Sequence, residues 1–178
     1  MTGVKMSTRQ AKMREKKIYE QYNDMLRRNE GAIMRICLIF AHHTTYGVED
    51  LYQDIAMELW RHYGGFRNES AESTWVYRVA LTTACRQVDR LRKEPRTVPL
   101  SLRMAERLAE EGQDELVGRL YELIELLPNE EKRLAFLYLE GVPVKQMAKI
   151  LNCSEREVGR RIFDMKQALN ELNKKEKL

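Results

Sequence analysis

The sequence predicts an all-α protein of two small helical domains joined by a flexible linker. Apolar residues recur at steps of three and four along most of the 178 residues, the period of one helix face. β-branched alternation is absent, so no sheet is expected. Prolines are confined to the second half. Pro95 and Pro99 fall in KEPRTVPLS, which marks the exit from an N-terminal helical domain, while Pro128 and Pro143 stand at helix starts, where a fixed φ and a missing N–H cost nothing. The boundaries that follow are 1–94, a linker at 95–118, and 119–178.

The N-terminal tail to about Lys17 is basic and expected to fray. From Ile18 to Phe40, apolar residues at Tyr22, Met25, Leu26, Ile33, Ile36 and Cys37 fit one long helix, or two with a break near Gly31. VEDLYQDIAMELWRHY follows, with Leu51, Ile55 and Leu59 on its buried side. Asp50, Asp54 and Glu58 recur every four residues on another side, flanked by Gln53. Such a stripe is either a solvated face or a docking surface for a basic partner, and like charges at this spacing repel slightly. A loop, GGFRNES, leads into AESTWVYRVALTTACRQVDRLRK. Here Tyr77, Leu81, Ala84, Val88 and Leu91 form the core stripe, and Trp75, Arg78, Thr82, Arg86, Arg90 and Lys93 lie across from it. Basic groups at helical spacing neutralise phosphates and release counterions. The aromatics Trp60, Tyr63, Phe66, Trp75 and Tyr77 cluster beside this strip. Interleaved rings and cations suit exposed bases, although most of these rings, Trp60 and Tyr77 above all, are expected in the core.

The stretch from Glu106 to Glu131 holds nine acidic and two basic residues. Nucleic acid repels it, so it reads as linker plus the outer face of the next helix. That helix lies in LLPNEEKRLAFLYLEG, opened by Pro128 and closed by Gly141. PVKQMAKIL is a second, followed by the turn Asn152-Cys153-Ser154, and SEREVGRRIFDMKQALNEL is a third. Ser154 with Glu157 three residues on forms a capping box. Val158, Ile162, Met165, Leu169 and Leu172 make one core stripe, and Arg156, Arg160 and Arg161 stand off it. A short helix, a tight turn and a longer helix with basic residues near its start is the geometry that enters a DNA major groove. Asn152 takes the place of a turn glycine, being the residue next best suited to left-handed backbone.

Composition excludes much. The net charge of +4 and pI near 8.9 are mildly basic. No apolar run is long enough for a bilayer and no secretory h-region is visible near the N-terminus, so a cytoplasmic protein is expected. Cys37, Cys85 and Cys153 are scattered singly, as reduced thiols packed as small apolar residues would be. His42, His43 and His62 lack partners at ligand spacing, so no metal is expected. With no phosphate loop, nucleophile elbow or paired carboxylates, neither an enzymatic activity nor a cofactor is expected.

DLYQDIAMELWRHYGGFRNESAESTWVYRVALTTACRQVDRLRK resembles region 2 of the bacterial sigma factors, the promoter-specificity subunits of RNA polymerase. LLPNEEKRLAFLYLEGVPVKQMAKILNCSEREVGRRIFDMKQALNEL resembles their region 4. The short intervening segment, without the large extra domains of housekeeping sigma factors, is similar to the extracytoplasmic-function (ECF) subgroup. The resemblance implies that Asp50, Gln53 and Asp54, with Glu58 beside them, dock on the β′ coiled coil of core polymerase. It implies that the loop Phe66, Arg67, Asn68, Glu69 and Ser70 holds a flipped base of the minus-ten element. Trp75, Arg78, Thr82, Arg86, Arg90 and Lys93 would then lie against the strand being opened, with Thr82 standing where many relatives have Asn. Ser154, Glu155, Arg156, Arg160 and Arg161 would face the minus-thirty-five element, and the LLPNEEKRL helix would rest on the β flap. An anti-sigma protein is implied as a further partner. Two other readings compete: a helix-turn-helix regulator that never docks on polymerase, and a helical interaction module without DNA.

Overall fold

The computed structural model describes residues 8–41, 47–67, 70–91 and 115–175, and all its regular elements there are helices. They are α1 (Thr8–Ala41), α2 (Val48–Tyr63), α3 (Glu72–Leu91), α4 (Glu115–Glu125), α5 (Asn129–Leu139), α6 (Val144–Leu151) and α7 (Glu155–Lys175). Helices α1–α3 pack as a front three-helix bundle, and α4–α7 form the rear body around α7.

α1 differs from expectation twice. It is one helix through Gly31, and it continues back to Thr8 instead of fraying to Lys17. The residues added, TRQAKMREKK, are strong helix formers without a breaker. Its front core is Met25, Ile33, Ile36, Cys37, Leu51, Ile55, Leu59, Val76, Leu81 and Ala84, all buried. Tyr22 threads between α1 and α2 and donates its hydroxyl to the Ala56 carbonyl at 2.7 Å.

α4 was missed: its acidic charge masked an amphipathic pattern in which Tyr121, Leu123 and Ile124 are buried, with Leu127 buried in the turn after it. Residues 115–118, assigned to the linker, belong to this helix; 92–114 lie outside the described residues. Pro128 and Pro143 cap the starts of α5 and α6 as expected. Gly141, at φ +65°, ends the α5 segment. Asn152 at φ 54°, ψ 48° makes the left-handed turn between α6 and α7, and the Glu157 N–H donates to Ser154 Oγ at 3.1 Å.

The two bodies meet. From Ile36 to Ala41 every residue of α1 is buried, because α2 and α3 cover one side and α4 and α5 the other. A helix apolar on all sides needs cover on all sides. Tyr77 packs edge-on to Phe136 at 5.5 Å, and the Lys132 ammonium lies 5.9 Å over the Phe40 ring. Asn129 Nδ2 donates to Asp89 Oδ1 at 2.8 Å. The buried apolar residues of both bodies form a single contiguous cluster.

Candidate nucleic-acid interface

Three surfaces carry the residues singled out above. The first is the outer side of α7. Arg156 and Arg160 are exposed with Ser154 and Glu155 near them, and Arg160 is only loosely paired, 3.9 Å from Asp164. Arg161 is different. Five residues on from Arg156 it lies about 140° around the helix, and its Nη2 donates to the Glu130 carbonyl and Glu131 Oε1, both at 3.1 Å. Its side chain is 16% exposed. Arg161, expected to face DNA, here ties α7 to α5. Phe163, 63% exposed, takes its place on the outer side, seven residues from Arg156 and three from Arg160. An aromatic one step off the core stripe was the available signal for it.

On the inner side of α7, a groove of about 620 Å³ runs along the α4–α5 turn. Leu127, Pro128, Met165 and Ala168 line it, with Glu130, Glu131, Arg160 and Arg161 also on its wall.

The second surface is the start of α3. Phe66 stacks on Trp75 with centroids 4.8 Å apart and planes at 29°. Beside this pair lies a cleft of about 430 Å³ lined by Gln21, Asp24 and Arg28 of α1 and by Tyr63, Phe66 and Glu72. Its wall is fixed by Arg28, which donates to both Glu72 oxygens at 3.1 and 2.6 Å, and by Asn29, which donates to Glu72 at 3.0 Å. The Arg28 hydrogen bond holds the Glu72 carboxyl below its ordinary value, and Asn29 adds to the effect. The α1 side of this cleft was not foreseen, since residues some 40 positions apart give no local signal. Arg67 is exposed and Ser70 half-buried; Asn68, Glu69 and Lys93 lie outside the described residues.

Along α3, Thr82 and Arg90 are exposed. Arg86 is exposed and 3.6 Å from Glu58. Arg78, at the rear joint, donates from Nη2 to the Lys149 carbonyl at 2.9 Å.

The third surface is α2, where the acidic stripe divides. Asp50 and Gln53 are exposed, and Asp50 also accepts the Gly47 N–H at 3.2 Å, closing the first turn. Asp54 is half-buried and accepts a hydrogen bond from Gln87 of α3. Glu58 turns inward, 14% exposed, toward Arg61, His62 and Arg86. Burial pushes its carboxyl up, but the His62 hydrogen bond and the Arg61 and Arg86 charges outweigh that and hold it below the ordinary value. Glu58, expected as a docking contact, is thus engaged by Arg61 and His62 of its own helix and lies 3.6 Å from Arg86 of α3. Exposed Met57 borders the stripe, and Trp60, expected in the core, is 45% exposed, edge-on to Tyr19 and Tyr22.

Among the described residues no group of His, Cys, Asp and Glu could hold a metal ion, and no helix is long and apolar enough to cross a membrane. Burial pushes the Cys37 and Cys85 thiols up to about 12.

Comparison with known proteins agrees with this layout. The family description "Sigma-70 region 2" matches residues 25–96 and "Sigma-70, region 4" matches residues 118–169, the front and rear bodies in order. The chain is 24% identical to the RNA polymerase sigma-H factor of Pseudomonas aeruginosa, over 72% of this chain and 74% of that protein. It is 28% identical to the ECF RNA polymerase sigma-E factor of Escherichia coli K12, over 69% and 72%. Among solved structures it resembles CnrH, determined in complex with the cytosolic domain of CnrY. The TM-score is 0.63 and the identity 18%, covering 88% of this chain and 89% of that one.

Proposed function

The chain belongs to the sigma-70 family, in its extracytoplasmic-function branch, and on that premise we propose which of its surfaces grips each partner. As a sigma factor it binds core RNA polymerase and directs initiation at a dedicated set of promoters. The rear body reads the minus-thirty-five element through Arg156, Arg160 and Phe163. Either arginine can meet guanine O6 and N7 with two hydrogen bonds, worth roughly 1–3 kcal/mol of discrimination, and the phenyl ring suits a thymine methyl. What carries this reading is the outer side of α7, where two cations and one ring stand exposed in a row while Arg161 is committed inward.

The front body opens the minus-ten element. Unstacking a base costs a few kcal/mol, and seating it against a ring returns roughly 1–3 kcal/mol, so one captured base about breaks even. The cleft beside Phe66 supplies the seat. Asp24 and Glu72 against Arg28 leave it without excess positive charge, which favours a neutral base over a phosphate. Arg86 and Arg90 contribute phosphate neutralisation, and tethering through the rear body raises the local concentration of the front one. Asp50 and Gln53, with Asp54 at their margin, dock on the β′ coiled coil. The groove along the α4–α5 turn, with its apolar floor and its wall of mixed charge, receives the β flap. An anti-sigma protein would compete for these polymerase surfaces, and the cytoplasm is where they are used.

Transcription in vitro with core polymerase and a genomic promoter library tests the assignment. Arg156→Ala and Arg160→Ala should each lose preference at one minus-thirty-five position, whereas Arg161→Ala should lower stability and leave the profile alone. A profile that shifts for Arg161→Ala but not for the other two would overturn it. Double charge reversal at Asp50 and Asp54 should abolish holoenzyme assembly.

A further inference from the structure

The helix face that walls the cleft beside Phe66 continues past it. Gln21, Asp24 and Arg28 form the α1 side of the cleft, and α1 runs on toward the N-terminus as unbroken helix to Thr8. At about 100° per residue, Arg14 and Lys17 fall with those three residues inside one sector of about 80°. Lys17 stands one turn before Gln21, about 6 Å along the axis, and Arg14 two turns before it, about 10 Å. Both side chains are exposed, and among the described residues neither is in an ion pair. The carboxylates of this part of α1 lie elsewhere or meet other cations. Glu20 is 3.8 Å from Lys16 and Asp24 is 3.9 Å from Arg27. Glu15 lines a separate hollow with Lys12, Lys16, Tyr19 and Trp60, on the opposite side of the helix.

One face of α1 therefore changes chemistry along its length. In the cleft, Glu72 takes Arg28 through both oxygens and Asp24 adds a second carboxylate, so no cation there is spare. In the two turns before Gln21 the same face carries two cations and no carboxylate. A nucleic-acid strand alternates in the same way, a neutral base with an anionic phosphate in every nucleotide. The phosphates flanking a base seated in the cleft must lie outside its acidic wall. An acidic protein surface would match the two charges, but nothing in it would require their alignment with the cleft.

We propose that Arg14 and Lys17 form a phosphate rail continuing the base seat, on which the backbone of the opened minus-ten strand lies as it leaves the cleft. The proposal rests on the reading of the cleft as a base seat and adds to it a DNA site on α1. Helix formation back to Thr8 is what makes the rail. A frayed segment would scatter the same charges, and each contact would cost ordering entropy.

The test uses holoenzyme assembled from core polymerase and the full chain, bound to a promoter fork whose minus-ten strand is left unpaired. Each phosphate contact to a single strand contributes about 0.7 to the slope of log affinity against log salt. Arg14→Gln combined with Lys17→Gln keeps helix propensity and should reduce that slope by about 1.4, about 25-fold less affinity lost per tenfold rise in salt. Lys12→Gln with Lys16→Gln removes equal charge from the opposite side of α1 and should leave the slope at the parent value. An unchanged slope in the Arg14 and Lys17 variant overturns the rail. An equal reduction from the Lys12 and Lys16 pair also overturns it, since the attraction would then be diffuse. Weakened holoenzyme assembly with an unchanged slope would give the two cations to an acidic face of polymerase and overturns it too. Phe66→Ala tests the seat separately: it should weaken fork binding at every salt concentration and keep the slope. Unaltered binding in Phe66→Ala would sink the seat, and the slope would still decide the rail.

Discussion

Glu72 opens α3 and receives Arg28 and Asn29 across more than forty residues of sequence. An ionised carboxylate in the first turn also complements the helix dipole. Since Arg28 holds its folded pKa below the ordinary 4.5, the ionised form is the stabilising one. Its contribution is complete above the unfolded value and is lost as pH falls through the depressed folded value. Glu72→Gln should lower the melting temperature at neutral pH, and the gap to the parent should close on acidification below the ordinary carboxylate range. A gap constant across that range would mean the carboxylate is not coupled to the fold. At this scale the sequence was informative about types and weak about directions. Arg156, Arg160 and Arg161 are alike in the sequence, and only the angle around α7 separates two outward arginines from one bound to Glu131. The acidic stripe behaves likewise: Asp50 looks out while Glu58 looks to α3, which depends on where a second helix runs.

At the scale of elements, punctuation was legible because it acts locally. Pro128, Pro143, the Ser154 cap and the Asn152 turn each operate within a few residues and stand where expected. α4 was hidden because net charge and helical period give opposite signals there, and burial of Tyr121, Leu123 and Ile124 decided for the helix. The base cleft was half legible, Phe66 and Trp75 from the sequence and Gln21 and Asp24 not at all. Gly141 offers a clean test of punctuation. At φ +65° with no neighbour within 4 Å of an added Cβ, Gly141→Ala meets no clash and only backbone strain. It should cost about 1–2 kcal/mol, measured as a lower denaturation midpoint at unchanged m-value. The same change at Gly159, helical and equally open, should stabilise the protein by up to about 1 kcal/mol. Equal effects of the two changes would refute the conformational account.

At the scale of the whole molecule, two small helical bodies joined by a flexible linker were expected, and in the structure the buried apolar residues of both form one contiguous cluster. The sequence carried a hint. Ile36 to Ala41 is apolar on every side of α1, more than a three-helix bundle can cover. If the joint carries cohesion, damage to one body must be felt by the other. Both tryptophans of the chain, Trp60 and Trp75, lie in the front bundle, so their fluorescence reports that body alone, while far-ultraviolet circular dichroism reports both. Met165 is buried on α7 in the rear. Met165→Ala should cost about 2–5 kcal/mol through the cavity it leaves. Coupled bodies unfold together, so the tryptophan transition should fall in step with the dichroism transition and the two should stay coincident. Independent bodies would leave the tryptophan midpoint where it was and split the dichroism curve in two. That split would mean that the buried cluster spanning the two bodies adds little to the stability of either.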